Sequence, residues 1–140
     1  MRNLIKILFA VIFTSVLFVG CTKDNNPVSP QLENISGKWE GPITHPAYDG
    51  GTVRLSILDD NGSISGTFTM RLSKNNFVQN YSGSVLGAKV SSNNYSLQLE
   101  GSNFTWICDL DINSKSPTLS GDWESNQNSG IQGTVSVDKQ

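Results

Sequence analysis

Apolar and polar residues alternate along the chain with a period of two from position 35 onward. In the clearest segment, 63–73, serine, threonine and arginine alternate with five apolar or small residues: Ile64, Gly66, Phe68, Met70 and Leu72. Successive side chains of a β-strand point to opposite faces, so this alternation predicts a strand with one buried face. A helix would scatter the same five residues around its circumference.

The same alternation recurs in seven further segments, so the chain is predicted to form eight strands. Their inward rows begin at Ile35, Val53, Phe77, Tyr95, Phe104, Leu119 and Ile131. Turn signals rich in asparagine, aspartate and glycine separate the segments, and no segment has the periodicity of a helix. We therefore predict an all-β fold in which eight antiparallel strands follow one another as a meander.

A meander of eight strands must hide one apolar face and deal with two sheet edges. Closure into an up-and-down β-barrel does both, so we predict an eight-stranded antiparallel barrel. The alternative is a β-sandwich of two sheets, which normally needs longer connections than these.

Residues 1–20 have the organisation of an export signal, because a positively charged region with Arg2 and Lys6 precedes an apolar stretch. That stretch is shorter than a membrane-spanning helix requires. The segment LFVGC at 17–21, which polar residues follow at once, resembles the lipobox of bacterial lipoprotein signal peptides. An ordinary secretory signal followed by a chance cysteine is the alternative.

The lipobox resemblance implies that the chain is cleaved after Gly20 and that Cys21 is acylated, which holds the protein on a membrane through its lipid. Thr22, in place of aspartate after the cysteine, implies sorting to the outer membrane of the cell envelope, with the domain on its periplasmic or its outer side. The predicted organisation is a signal peptide over 1–20, a lipidated flexible tether over 21–34 and a β-barrel domain over 35–140.

Composition narrows the class of function further. The chain has 140 residues, a formal net charge of −2, one histidine and two cysteines. Its length suits one domain, and its sparse, slightly acidic charge lacks the basic footprint of a nucleic-acid-binding protein. So few histidines and cysteines exclude a cluster of these residues around a metal, and we predict neither a metal nor a cofactor.

A Gly-x-Trp-Glu pattern occurs twice, at 37–40 and at 121–124. The first copy, the meander and the chain length resemble the calycin group, which includes lipocalins, fatty-acid-binding proteins and avidins. Segment 37–68 is most similar to the first three strands of an avidin, but the polar residues that hold biotin there have no counterpart in 40–43. The resemblance therefore implies a lipocalin- or avidin-like architecture and not the ligand.

An eight-stranded barrel is just wide enough to be filled by side chains or to hold one small ligand. Five aromatic residues of the inward rows are predicted to line its wider end: Trp39, Phe68, Tyr81, Trp106 and Trp123. We further predict that Trp39 and Trp123 pack over glycines near one end. The predicted function is non-catalytic binding of a small apolar or aromatic ligand on these rings.

The longest loop between strong strands, 41–51, holds the only histidine of the chain. Loops on a rigid barrel often carry binding residues, so His45, Tyr48 and Asp49 are predicted to form a polar rim. A solvated loop with a bystander histidine is the other interpretation. The alternative function is a protein-binding or inhibitor module with a filled core, which uses this loop to contact an envelope or host protein.

No residue is predicted to be catalytic, so we do not expect an enzyme. The sequence pairs no serine or cysteine nucleophile with His45. Strand parity puts Glu40 and Glu124 on the outer face and Cys108 on the inner face, where a buried inert thiol is expected.

Overall fold

The structure of the protein is a computed structural model that describes residues 34–140. Eight strands make up the described part: β1 (Gly37–Pro42), β2 (Gly50–Asp60), β3 (Ser63–Lys74), β4 (Phe77–Lys89), β5 (Asn94–Gly101), β6 (Thr105–Asn113), β7 (Thr118–Ser125) and β8 (Gln132–Lys139). The signal peptide, Cys21 and the tether predicted before residue 34 lie outside the described residues. Between residues 34 and 140, no helix is long and apolar enough to cross a membrane.

Each strand pairs antiparallel with the next, and β8 pairs with β1, so the sheet closes on itself. The predicted up-and-down barrel is confirmed, and the β-sandwich alternative is wrong. Two hairpins turn through two residues with positive φ, Asn61 and Gly62 (53° and 89°) and Asn75 and Asn76 (48° and 68°). This backbone conformation matches the twist of the flanking strands, and asparagine and glycine adopt it most readily.

Because the strands alternate in direction, successive connections lie at opposite ends of the barrel. We call these ends the base and the mouth. The base holds residues 34–36 and the turns β2–β3, β4–β5 and β6–β7. The mouth holds the loop between β1 and β2 and the turns β3–β4, β5–β6 and β7–β8.

The inward faces of the strands form a core of 21 buried apolar residues. The alternation predicted most of them: Val53, Leu55 and Ile57 are buried, whereas the residues between them are exposed. The largest side chains with almost no exposure are Trp39, Trp123, Tyr95 and Phe68. Side chains of this size fill an eight-stranded barrel, and each large one stabilises the fold by about 1.5–3 kcal/mol.

The buried carboxylate of Asp59 stabilises the base of the barrel. Asp59 follows the inward parity of β2 and is only 7% exposed. Its carboxylate accepts hydrogen bonds from the backbone N–H of Ile35 (3.1 Å) and of Gly62 (2.8 Å), and its own N–H donates to Ser36 Oγ (2.8 Å). Asp59 therefore ties residues 34–36 and the β2–β3 turn together across the bottom of the barrel.

Replacing Asp59 by alanine is expected to lower the free energy of unfolding by about 2–3 kcal/mol, because two N–H groups lose a charged acceptor. Urea denaturation measures this change. The control is Asp60→Ala, in the same turn but exposed, which should change the free energy by less than about 0.5 kcal/mol. Equal effects of the two substitutions would contradict this role of Asp59.

The β3–β4 hairpin extends beyond the barrel at the mouth. β4 has 13 residues but pairs with β5 only from Gly83 to Lys89. Within the described residues, 77–82 therefore have β3 on one side and no strand on the other. The prediction that Phe77 faces the core is wrong, since its side chain is 79% exposed. The parity of β4 continues along the hairpin, but at Phe77 there is no barrel interior left to face.

Candidate functional site

Two stacked tryptophans lie beneath the mouth. The ring centroids of Trp106 on β6 and Trp123 on β7 are 4.0 Å apart and the rings are inclined by only 18°. The indole N–H of Trp123 donates to the carbonyl of Thr44 at 2.9 Å. A Cβ at Gly133 would lie 2.6 Å from that nitrogen, so Trp123 packs over a glycine as predicted.

The imidazole of His45 covers the tryptophan pair. Its ring centroid lies 5.3 Å from that of Trp123, nearly parallel at 24°, and 5.6 Å from that of Trp106. The loop before it is fixed to β8, because Ile43 bridges Val135 and the N–H of Thr44 donates to the carbonyl of Thr134 at 2.8 Å. The 41–51 loop thus folds inward, and His45 closes the mouth with a planar ring.

The environment of His45 favours its neutral form. Partial burial lowers the pKa of the imidazole, since desolvation penalises the charged ring. Nδ1 accepts a hydrogen bond from the backbone N–H of Ala47 at 3.1 Å, so this nitrogen carries no proton in the neutral ring. The edge of the imidazole meets the ring of Tyr48 at 4.9 Å and 78°.

This lowered pKa predicts how stability depends on pH. The unfolded chain, with an ordinary histidine pKa of about 6.5, takes up a proton first as the pH falls. The stability that neutral His45 contributes is therefore present above that pH and is lost below it, down through the lowered pKa of the folded state. Urea denaturation at pH 7.5 and at pH 5 should show a larger loss for the wild type than for His45→Phe. Identical losses would contradict the lowered pKa.

A second group of polar aromatic side chains borders the mouth on the side of β4. The hydroxyl oxygens of Tyr48 and Tyr81 lie 2.9 Å apart, and both lie within hydrogen-bond distance of Gln79 Oε1. Burial, followed by the hydrogen bond and the charge interaction with Tyr48, raises the pKa of Tyr81 to about 12. The Tyr81 phenol therefore stays protonated at neutral pH and joins the loop to the hairpin.

Phe104 connects these rings to the core, and the candidate residues did not include it. Its ring centroid lies 4.9 Å from Trp106, 5.5 Å from Tyr81 and 6.0 Å from Phe68. Its place in the same inward row as Trp106 was the signal available in the sequence. Four of the five predicted binding residues, all except Trp39, belong to this connected group.

Trp39 lies apart from the mouth cluster, so the prediction that Trp39 and Trp123 pack near the same end of the barrel is wrong. Its indole N–H donates to the carbonyl of Ile35 at 2.9 Å, and the ammonium of Lys139 lies 5.5 Å from its ring centroid. Both partners belong to the base. Parity identifies Trp39 as buried, but it does not say towards which end the ring extends.

The predicted rim residues divide between two roles. His45 and Tyr48 contribute rings to the mouth, whereas Asp49 holds the loop in place through hydrogen bonds. Its N–H donates to the carbonyl of Ser73 at 2.8 Å, and its carboxylate accepts from the N–H of Asn75 at 2.8 Å. The loop is thus bonded to the β3–β4 hairpin as well as to β8.

A cleft of about 360 Å³ lies between the 41–51 loop and the β3–β4 hairpin. We call its lining the rim surface: Ala47, Tyr48, Lys74, Asn75, Phe77 and Gln79. Other clefts of the described part, with volumes of about 460, 470 and 910 Å³, lie on the outer faces of the strands. These four clefts lie at the rim and on the outside of the barrel.

Cys108 and Glu40, two potentially reactive side chains, lie on different strands, β6 and β1. Burial raises the pKa of the Cys108 thiol to about 12, so it is not a thiolate at neutral pH. Glu40, on the outer face, pairs with Arg54 at 2.9 Å. Within residues 34–140, no three histidine, cysteine, aspartate or glutamate side chains gather as a metal site requires. The mouth is suited to packing and hydrogen bonding.

A scan against protein-family models gives no match, and a search of the curated proteins gives none either. The fold is a closed, eight-stranded antiparallel barrel, which is consistent with a calycin-like architecture.

Proposed function

We propose that this protein is a non-catalytic lipoprotein of the cell envelope, anchored to the outer membrane through Cys21, that recognises a partner protein with its rim surface. Phe77 is the observation that carries the proposal. It is 79% exposed, belongs to a hairpin that leaves the barrel, and lines a cleft beside Tyr48. Aromatic residues are enriched at protein interfaces and often dominate their energetics.

The filled core supports a protein partner over a ligand held deep in the barrel. Phe68, Trp106 and Trp123 are almost completely buried, and their rings contact neighbouring rings. His45 lies over the tryptophans at the only mouth of the barrel in the described part. Since side chains occupy the interior of this barrel, its outer surface is the part that can contact a partner.

The rim surface is also held in place before any partner arrives. Asp49 bonds the loop to Ser73 and Asn75, and the Tyr48 and Tyr81 hydroxyls lie 2.9 Å apart. A surface fixed in one conformation loses little conformational entropy on binding, which favours affinity.

Site-specific photocross-linking in intact cells tests this function. A benzoylphenylalanine placed at Phe77 should give one discrete cross-linked protein, which excess unmodified protein suppresses. The matched control is the same residue at Leu58, also exposed (62%) but on the outer face of β2 near the base. The same product at both positions, or none at Phe77, would rule out recognition at the rim.

The anchor has its own test. The wild-type chain should incorporate radiolabelled palmitate and sediment with the outer membrane. Cys21→Ala should do neither, because the acyl chains supply the membrane affinity. Equal labelling of the two chains would contradict lipidation at Cys21.

A second function, binding of a small planar apolar ligand, is favoured by the stack at the mouth. The imidazole of His45 already lies nearly parallel to Trp123, and a planar ligand that displaces it gains the tryptophan pair as a stacking surface. Benzimidazole and naphthalene should then shift the indole N–H resonances of Trp106 and Trp123. His45→Ala should bind both compounds more tightly. Unmoved indole resonances in both proteins would exclude this function.

A further inference from the structure

One edge of the sheet stays open at the mouth, although the barrel is closed below it. Residues 77–82 of β4 pair with β3, but the pairing of β4 with β5 begins only at Gly83. Among the backbone hydrogen bonds found outside the ladders of residues 34–140, none involves this segment. We call residues 77–82 the open edge.

The register shows which backbone groups face away from β3. Lys74 and Phe77 flank the two-residue turn of the hairpin, which makes them its first hydrogen-bonded pair. At the other end of the hairpin the N–H of Lys89 donates to the carbonyl of Gly62 at 2.8 Å, so the odd-numbered residues of β4 bond to β3. The N–H and C=O groups of Val78 and Asn80, and the N–H of Ser82, therefore point outward from the open edge.

The open edge lacks the charged and proline residues that commonly protect natural edge strands. Its sequence, FVQNYS, contains no charged residue and no proline. Proteins commonly block an exposed edge with lysine, proline or a bulge, because unpaired backbone groups accept another extended chain. An edge without these residues suits recognition by strand addition.

We propose that a partner protein adds a short extended segment to the open edge as a further β-strand beside β4. This inference rests on the proposed function, since the open edge and the rim surface share the β3–β4 hairpin. Main-chain hydrogen bonds to Val78, Asn80 and Ser82 supply affinity, and the side chains on the two faces of the edge select the segment.

Those side chains define the chemistry of the segment. Phe77 and Tyr81 lie on the inner face of the open edge, beside the positions that apolar residues of the added strand take. On the outer face Arg71 lies directly across from Asn80. Arg71 forms no ion pair or side-chain hydrogen bond within the described part of the chain. The segment therefore alternates apolar residues on the inner face with an acidic residue towards Arg71.

Amide hydrogen exchange of the full chain in detergent, followed by NMR, tests strand addition. The probe is the peptide acetyl-Thr-Val-Asp-Val-Thr-amide, and its fully N-methylated form is the control. The probe should slow exchange at Val78, Asn80 and Ser82 by about tenfold, since their N–H groups become hydrogen-bonded. The N-methylated peptide should not. Equal slowing by both peptides, or none by the probe, would overturn the proposal.

Substitutions at Asn80 separate the backbone from the side chain. Asn80→Pro removes one outward N–H and leaves the β3 ladder intact, because proline is tolerated where the N–H faces solvent on an edge strand. It should abolish the slowing at Val78 and Ser82, whereas Asn80→Ala should retain it. Arg71→Gln should weaken binding of the probe. It should not weaken binding of the same peptide with asparagine in place of aspartate. Slowing that persists in Asn80→Pro, or a probe that Arg71→Gln does not weaken, would contradict strand addition in this form.

Three further outcomes separate strand addition by a partner from self-association and from the proposed function. A wild-type dimer in sedimentation that Asn80→Pro dissociates would assign the edge to a second copy and overturn the partner segment. A cross-link at Phe77 that survives Asn80→Pro would remove strand addition and leave recognition at the rim. Slowed exchange without any cross-linked protein at Phe77 would support strand addition at the open edge and contradict the proposed function.

Discussion

Trp123→Ala is expected to lower the free energy of unfolding by about 3–5 kcal/mol, the usual cost of removing a buried tryptophan. Trp123 is 1% exposed, stacks on Trp106 and donates to the carbonyl of Thr44. The substitution removes the apolar contacts, the stacking and the hydrogen bond that fixes the loop. Urea denaturation measures the loss.

The control for this substitution is Trp123→Phe, which keeps an aromatic ring at the site and loses the N–H. It should cost less than the alanine variant, because most of the buried ring area remains. In Trp123→Ala, His45 loses its stacking partner, so its pKa should rise towards the ordinary value, which NMR titration of the imidazole follows. Wild-type stability in Trp123→Ala would mean that the ring is not part of a filled core.

Gly83→Ala is expected to lower the free energy of unfolding by about 3 kcal/mol, at the upper end for overpacking. A Cβ at Gly83 would lie 1.9 Å from the carbonyl oxygen of Glu100 and 2.8 Å from a ring carbon of Phe68. A backbone oxygen cannot move aside without displacing β5, so the strands must separate. Thermal and urea unfolding measure the cost.

Gly50→Ala is the matched control for Gly83→Ala. A Cβ at Gly50 meets only Ser73 Oγ, at 3.8 Å, so its effect on the free energy of unfolding should stay within about 0.5 kcal/mol. Equal effects at the two positions would contradict the close approach of β4 and β5 at the point where the open edge ends.

The alternation predicted the barrel because burial on one face of a strand is a local property. In β2 and β5 every second residue is buried, and the order of strands follows from short turns such as Asn61-Gly62. Asp59 continues the inward row of β2, but its hydrogen bonds to residues 34–36 depend on a contact between distant parts of the chain. Sequence patterns carry no information on such a contact.

The candidate site was only partly predictable, since parity gives the face of a residue and not its height in the barrel. Trp39 and Trp123 share the same motif, yet Trp39 bonds to Ile35 at the base and Trp123 to Thr44 at the mouth. Phe77 continues the inward row of β4 but lies past the last pairing with β5. The position of His45 over the tryptophans depends on the loop conformation, which hydrogen bonds to both neighbouring strands determine.

The closed mouth is the central claim, because it leaves the rim surface and the open edge as the places of recognition. Nuclear Overhauser effects between the ring protons of His45 and the indole protons of Trp123 test it most directly. Ring centroids 5.3 Å apart predict clear cross-peaks at pH 7.5, with ring-current shifts of the imidazole that disappear in Trp123→Ala. Absent cross-peaks, together with histidine shifts of a solvated side chain, would contradict a mouth closed by His45.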